Sequence, residues 1–143
     1  MTIKYLRMMK ADTDLLPLVL RGERDCLSVR TCVLVDETTE IEKNIDVVLD
    51  SEGHFIHLAQ GISLTIPPKS NIPAFLFKPK KGLTCYGISS TTFEANEHLM
   101  FIEDSPTHAM IVPKYDMHIQ DYERHLEETR PLWEVQDDDE EQS

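Results

Sequence analysis

The stretch Ile62-Ser63-Leu64-Thr65-Ile66-Pro67-Pro68 decides the fold class. Ile62, Leu64 and Ile66 alternate with Ser63 and Thr65, and a two-residue period puts the apolar side chains on one side of an extended chain and the hydroxyls on the other. Two prolines close it, because proline has no N–H to give a ladder. Upstream, Leu27, Val29, Thr31, Val33 and Val35 repeat the alternation around Ser28 and Arg30. Working outward, the same reading predicts strands over 3–9, 18–21, 45–49, 54–59, 72–77, 83–89, 98–103 and 109–112. Turn formers separate them, among them Arg21-Gly22, Asp50-Ser51-Glu52-Gly53, Pro67 to Asn71, Lys78 to Gly82 and Asp104-Ser105-Pro106. Short strands with turn signals every ~8–12 residues predict an all-β sandwich or barrel.

One stretch departs from this. After Pro113, Asp116 is placed to cap a helix that runs to about Thr129 and is stopped by Pro131. Ile119, Tyr122 and Leu126 would share its narrow apolar face, which needs something larger to pack on. The alternative makes 117–122 one more edge strand. The expected organisation is a β-barrel over 1–115, a C-terminal helix over 116–130 and an acidic, disordered tail over 131–143.

At 143 residues the chain is sized for one domain and should bury roughly 70% of its unfolded surface. Hydrophobic content of 41% and charged content of 28% place it among soluble globular proteins. The longest apolar runs, 15–20 (broken by Pro17) and 74–77, fall far short of the ~20 residues that span a bilayer, so no membrane span is expected. Lys4, Arg7 and Lys10 stand where a signal peptide needs apolar residues. Three cysteines, Cys26, Cys32 and Cys85, show neither CxxC spacing nor an even count. They read as reduced, half-buried thiols in the cytoplasm or nucleus. His54 and His57, three apart on an expected strand, face opposite ways and share no metal; no metal site and no cofactor is expected.

Charge is unevenly placed. Glu134, Asp137, Asp138, Asp139, Glu140 and Glu141 carry half of the formal net charge of −12. An acidic surplus repels phosphates, so direct nucleic-acid binding is not expected. The acid run reads as a solvated end or as a dock for a basic partner surface. Leu132, Trp133 and Val135 precede it, either as an anchor folding back on the barrel or as an aromatic and aliphatic hook for a partner groove. The basic cluster of Lys78, Lys80 and Lys81 reads as a solvated hairpin tip or as a contact for phosphate or an acidic peptide. G-x-S-x-G, HExxH, Walker and GxGxxG motifs are absent from the sequence.

Three segments, in order, carry a resemblance. Cys26 to Val33 is similar to the first motif of the trimeric dUTPases, Leu58 to Pro67 to their Thr-Gly-Leu-x-x-x-x-Pro strand, and Pro79 to Leu83 with Gly87-Ile88 to their Pro-Arg-Ser-Gly-Leu…Gly-Ile segment. The resemblance implies a jelly-roll or distorted β-barrel and a trimer. It also marks departures. Ser28 stands at the family's acidic position, and Lys81 replaces its phosphate-gripping serine. Lys80 alone stands in for the arginine, and 89–96 is too short for the uracil hairpin with its Asp and Tyr. A barrel with its catalytic motifs erased resembles the dUTPase-derived early proteins of adenoviruses and their degenerate herpesvirus relatives. That resemblance implies a non-catalytic protein–protein interaction module engaging host regulatory proteins. A second resemblance, of Lys10-Ala11-Asp12 and Leu27 to Thr31 to the nucleoplasmin core, implies a pentameric histone chaperone. An active dUTPase is the third reading.

Overall fold

The computed structural model describes residues 3–20, 23, 25–29, 31–33, 47–49, 60–77 and 81–136. The chain is mostly β, as the alternation predicts. Among the described residues the strands are β1 (Lys4–Met9), β2 (Thr31–Val33), β3 (Val47–Leu49), β4 (Ile62–Thr65), β5 (Thr84–Ser89), β6 (Leu99–Glu103), β7 (His108–Pro113) and β8 (Glu134–Val135), with one α-helix, α1 (Ile119–Glu128), before β8. Six of them form an antiparallel sheet in the order β6-β7-β4-β1-β5-β8, while β2 and β3 make a separate parallel pair.

The pleat gives this sheet two apolar faces. Tyr5 and Met9 of β1, Ile62 and Leu64 of β4, Tyr86 and Ile88 of β5, Leu99 of β6 and Ile111 of β7 point to one face and join the main core. The registers agree, since Tyr5 sits opposite Ile88, Ile62 opposite Ile111 and Leu64 opposite Ala109. Helix α1 covers this face through Tyr122 and Leu126, with Trp133, Phe93, Met117, Leu27 and Val29 filling in around it. The opposite face carries Leu6, Met8 and Cys85 under a lid made by Ile72, Leu76 and Leu83. Each fully buried aliphatic side chain adds about 1.5–3 kcal/mol of hydrophobic stabilisation, so two faces let a thin sheet hold a sizeable core.

The lid is a correction to the sequence reading. Residues 72–77 are not a strand; Ala74–Phe77 is a 3-10 helix following another at Lys69–Asn71. Ile72 is buried and Leu76 half-buried, while Phe75 and Phe77 are exposed. Residues 18–20 are not a strand either; Leu18 donates its N–H to the Lys10 carbonyl and accepts from Leu27. The long strand expected over 27–35 is bent through 26–28, and β2 spans Thr31–Val33, with 30, 34 and 35 outside the described residues. The strand expected over 54–59 lies outside the described residues.

The helix starts later than Asp116 would place it. His118 is the cap, its Nδ1 accepting from the Gln120 N–H at 3.1 Å, and Thr129 closes the far end with its N–H on Leu126. Residues 131–136, assigned to the tail, belong to the folded unit. Arg130–Leu132 is a 3-10 turn, Trp133 is 3% exposed, and β8 pairs with β5 through Tyr86↔Val135 and Gly87↔Glu134. No helix of the described residues is long and apolar enough to cross a membrane.

Candidate interaction face

The residues singled out in the sequence divide into three groups. Lys78, Lys80, Asp137, Asp138, Asp139, Glu140 and Glu141 lie outside the described residues. Trp133 is corrected: it is a core residue, its indole N–H donating to Thr129 Oγ1 at 3.0 Å, and in the folded chain it is no hook for a partner. The remaining three are accessible. Leu132 is 48% and Val135 49% exposed, and Lys81 is partly exposed beside Asp25, 3.6 Å away.

The fold brings Phe77 and the C-terminal segment to one place. β5 starts just after Lys81 and β8 lies along its outer side, so Val135 comes to lie beside Leu83 and Cys85. Met8, Phe77, Leu83, Cys85, Val135 and Gln136 line a groove of about 310 Å³ there. Phe77 and Val135 are exposed residues of this lining, Val135 reaching it from the edge strand β8, and Phe75 is a further exposed ring with Lys81 Nζ 5.5 Å from its centroid. Exposed aromatic and aliphatic side chains at one groove, with a lysine close by, have the composition of a protein-contact patch: apolar anchors with a polar rim. Two lysines hold the C-terminal segment that borders the groove. Lys69 donates to the Gln136 carbonyl at 2.9 Å, and Lys4 pairs with Glu134.

Sequence reasoning missed Phe75 and Phe77 because it read 72–77 as a strand. The signal was present in Ile72 and Leu76, four apart as in a helical turn, but Ala74, Phe75 and Phe77 beside them are also apolar. It also missed a polar line beneath the other face. Arg7, on β1, donates to the Cys26 carbonyl at 3.0 and 3.2 Å and to the Ser63 carbonyl at 2.8 Å. The ladder between β1 and β4 is short, with Leu6↔Thr65 its register pair, and the guanidinium carries the connection onward. Ser28 is buried and donates to Glu123 of α1 at 3.0 Å.

Cys26 and Cys85 are free thiols and buried, more deeply than the half-burial expected of them. Burial pushes the Cys26 thiol up from its ordinary range, outweighing a backbone hydrogen bond to Leu20 and the nearby charge of Arg7. A thiol so placed is a poor nucleophile. Among the described residues, no group of three or more His, Cys, Asp or Glu is arranged to hold a metal ion. No family model matches the chain, and neither the curated proteins nor the solved structures contain a match to it.

Proposed function

We propose that this chain is a non-catalytic protein–protein interaction module on a β scaffold of the dUTPase-like jelly-roll kind, and that it engages its partner through the face formed by Phe75, Phe77, Leu83 and Val135. The observation that supports the reading is that exposed Phe77 and Val135, the latter from the C-terminal segment singled out in the sequence, line one groove, and that exposed Phe75, two residues from Phe77, is in contact with Lys81. The scaffold assignment is supported by the order of the three motif-like segments in the sequence and by the β-rich architecture.

The partner is sought by affinity purification of the full chain, followed by quantitative binding of each recovered protein in purified form. Substituting Phe75→Ser, Phe77→Ser and Val135→Ser together should weaken the specific partner at least tenfold and leave the melting temperature within about 2 °C, since exposed positions contribute little to stability. A partner that binds the triple variant as tightly as the parent refutes the face. Release of pyrophosphate from dUTP with magnesium at an enzyme-like rate refutes the non-catalytic reading. Deleting 132–143 is the wrong truncation, because it removes Trp133 and β8; the informative one ends after Gln136.

A further inference from the structure

The geometry points to a second docking element, independent of the groove: the outer edge of β6 accepts an extended, lysine- or arginine-bearing segment of a partner chain as an added strand.

Register fixes which backbone groups face outward. Lys114 donates its N–H to the His98 carbonyl and Asp104 donates to the His108 carbonyl. These are the two ends of a ladder that runs without a bulge from Leu99↔Pro113 to Glu103↔Ala109. In an antiparallel ladder hydrogen-bonded pairs alternate, so Met100 and Ile102 bond to β7. Leu99, Phe101 and Glu103 therefore turn their N–H and C=O away from it. The Leu99 N–H is taken by Asn96 Oδ1 at 2.8 Å. The N–H and C=O groups of Phe101 and Glu103 have no partner among the described residues.

β6 also lacks the devices that normally keep such an edge from pairing. It is five residues long, reads Leu-Met-Phe-Ile-Glu, and holds no lysine, proline or bulge. Met100 is 37% exposed on the face away from α1, with half-buried Ile102 two residues on, so an added strand would meet apolar side chains there. Charge selects the occupant. Glu97 lies just before β6, Glu103 ends it and Asp104 follows, and the chain as a whole carries −12. A second copy would bring the same acids and the same net charge against this edge, whereas a segment with basic residues flanking two or three apolar ones complements it.

The test uses a fluorescein-labelled peptide alternating lysine with valine and threonine, with two controls: the same peptide with glutamate for lysine, and one of equal charge with proline at alternate positions. Expected are anisotropy binding of the lysine peptide alone, a roughly tenfold or greater loss on Met100→Lys or Ile102→Lys, and retention on Met100→Glu. In the parent chain, amide exchange should slow at Phe101 and Glu103 when peptide is bound. Equal binding of the proline peptide reduces the effect to charge and overturns the proposal, as does binding without slowed exchange at those two amides. A concentration-dependent dimer that protects the same amides assigns the edge to a second copy and overturns it too. Absence of binding at low salt overturns it outright.

Discussion

Tyr122 Oη lies 2.5 Å from the carbonyl oxygen of Ile111, to which it donates, while accepting the Ile62 N–H at 2.9 Å. One hydroxyl on α1 thus bridges two neighbouring strands at a fully buried point. The helix is located by hydrogen bonding as well as by apolar contact.

Removing that oxygen should be expensive for its size. Tyr122→Phe keeps the ring and strands a buried donor and acceptor, which costs about 1–3 kcal/mol. Urea denaturation should show the midpoint falling with the slope unchanged. A loss below about 0.5 kcal/mol would mean that water or a local shift satisfies both groups.

Gly61 is predicted to tolerate no side chain. A Cβ built there would sit 1.9 Å from the Ile111 carbonyl oxygen and 2.8 Å from Tyr122 Oη, and neither a central strand's backbone nor a hydroxyl held by two hydrogen bonds can step aside. Gly61→Ala should therefore lose at least about 3 kcal/mol or give no soluble protein. A melting temperature within a few degrees of the parent would contradict the close approach.

Trp133 should behave as a core residue and the acid run as dispensable for folding. Trp133→Ala is expected to cost about 3–5 kcal/mol, whereas a chain ending after Gln136 should melt within about 2 °C of the parent. Indole fluorescence gives a direct check, since Trp133 is the protein's one tryptophan. Its emission should be blue-shifted when folded and shift red in one transition with backbone circular dichroism.

Alkaline stability should depend on Tyr5. Burial first, then the hydrogen bond to Glu103 at 2.7 Å and that carboxylate's charge, push the phenol from 10.0 up to about 12. A raised folded-state value means that the unfolded chain gives up the proton first. The contribution is whole below pH 10 and is lost as pH climbs from about 10 to about 12. Denaturation midpoints across this window should fall for the parent and fall less for Tyr5→Phe, and Glu103→Gln should bring the phenol's ultraviolet titration lower. A parallel fall in parent and Tyr5→Phe would place the sensitivity elsewhere.

Alternation made β4 legible, with Ile62 and Leu64 facing the α1 side between Ser63 and Thr65, and apolar runs between turn formers marked β1, β5, β6 and β7. The helix was legible from Ile119, Tyr122 and Leu126. The anchor reading of Leu132 to Val135 matches the burial of Trp133 and the pairing of β8. What the sequence hid was the lid, where apolar residues stand on both the buried and the exposed side of Ile72 to Phe77, so neither period could be told from the other. Arg7 was hidden for a related reason. A lone cation in a strand reads as solvated, and only the parting of β1 from β4 gives it two carbonyls to hold. Phe101 was legible as a strand residue, but its ring contacts, 4.6 Å from Tyr5 and 4.7 Å from Phe93 between centroids, join segments far apart in the chain.

β1 sits in the interior of the sheet, flanked by β4 and β5, although it is the earliest of these strands to be synthesised. A nascent chain therefore carries Tyr5, Leu6, Met8 and Met9 without either neighbour until the residues around Thr65 and then Ser89 have emerged. Completion of the six-stranded sheet waits longer still, for Val135. Such a molecule cannot be assembled piecemeal from its leading end, and an interrupted translation product would expose its stickiest segment first, the situation in which holdase chaperones are needed.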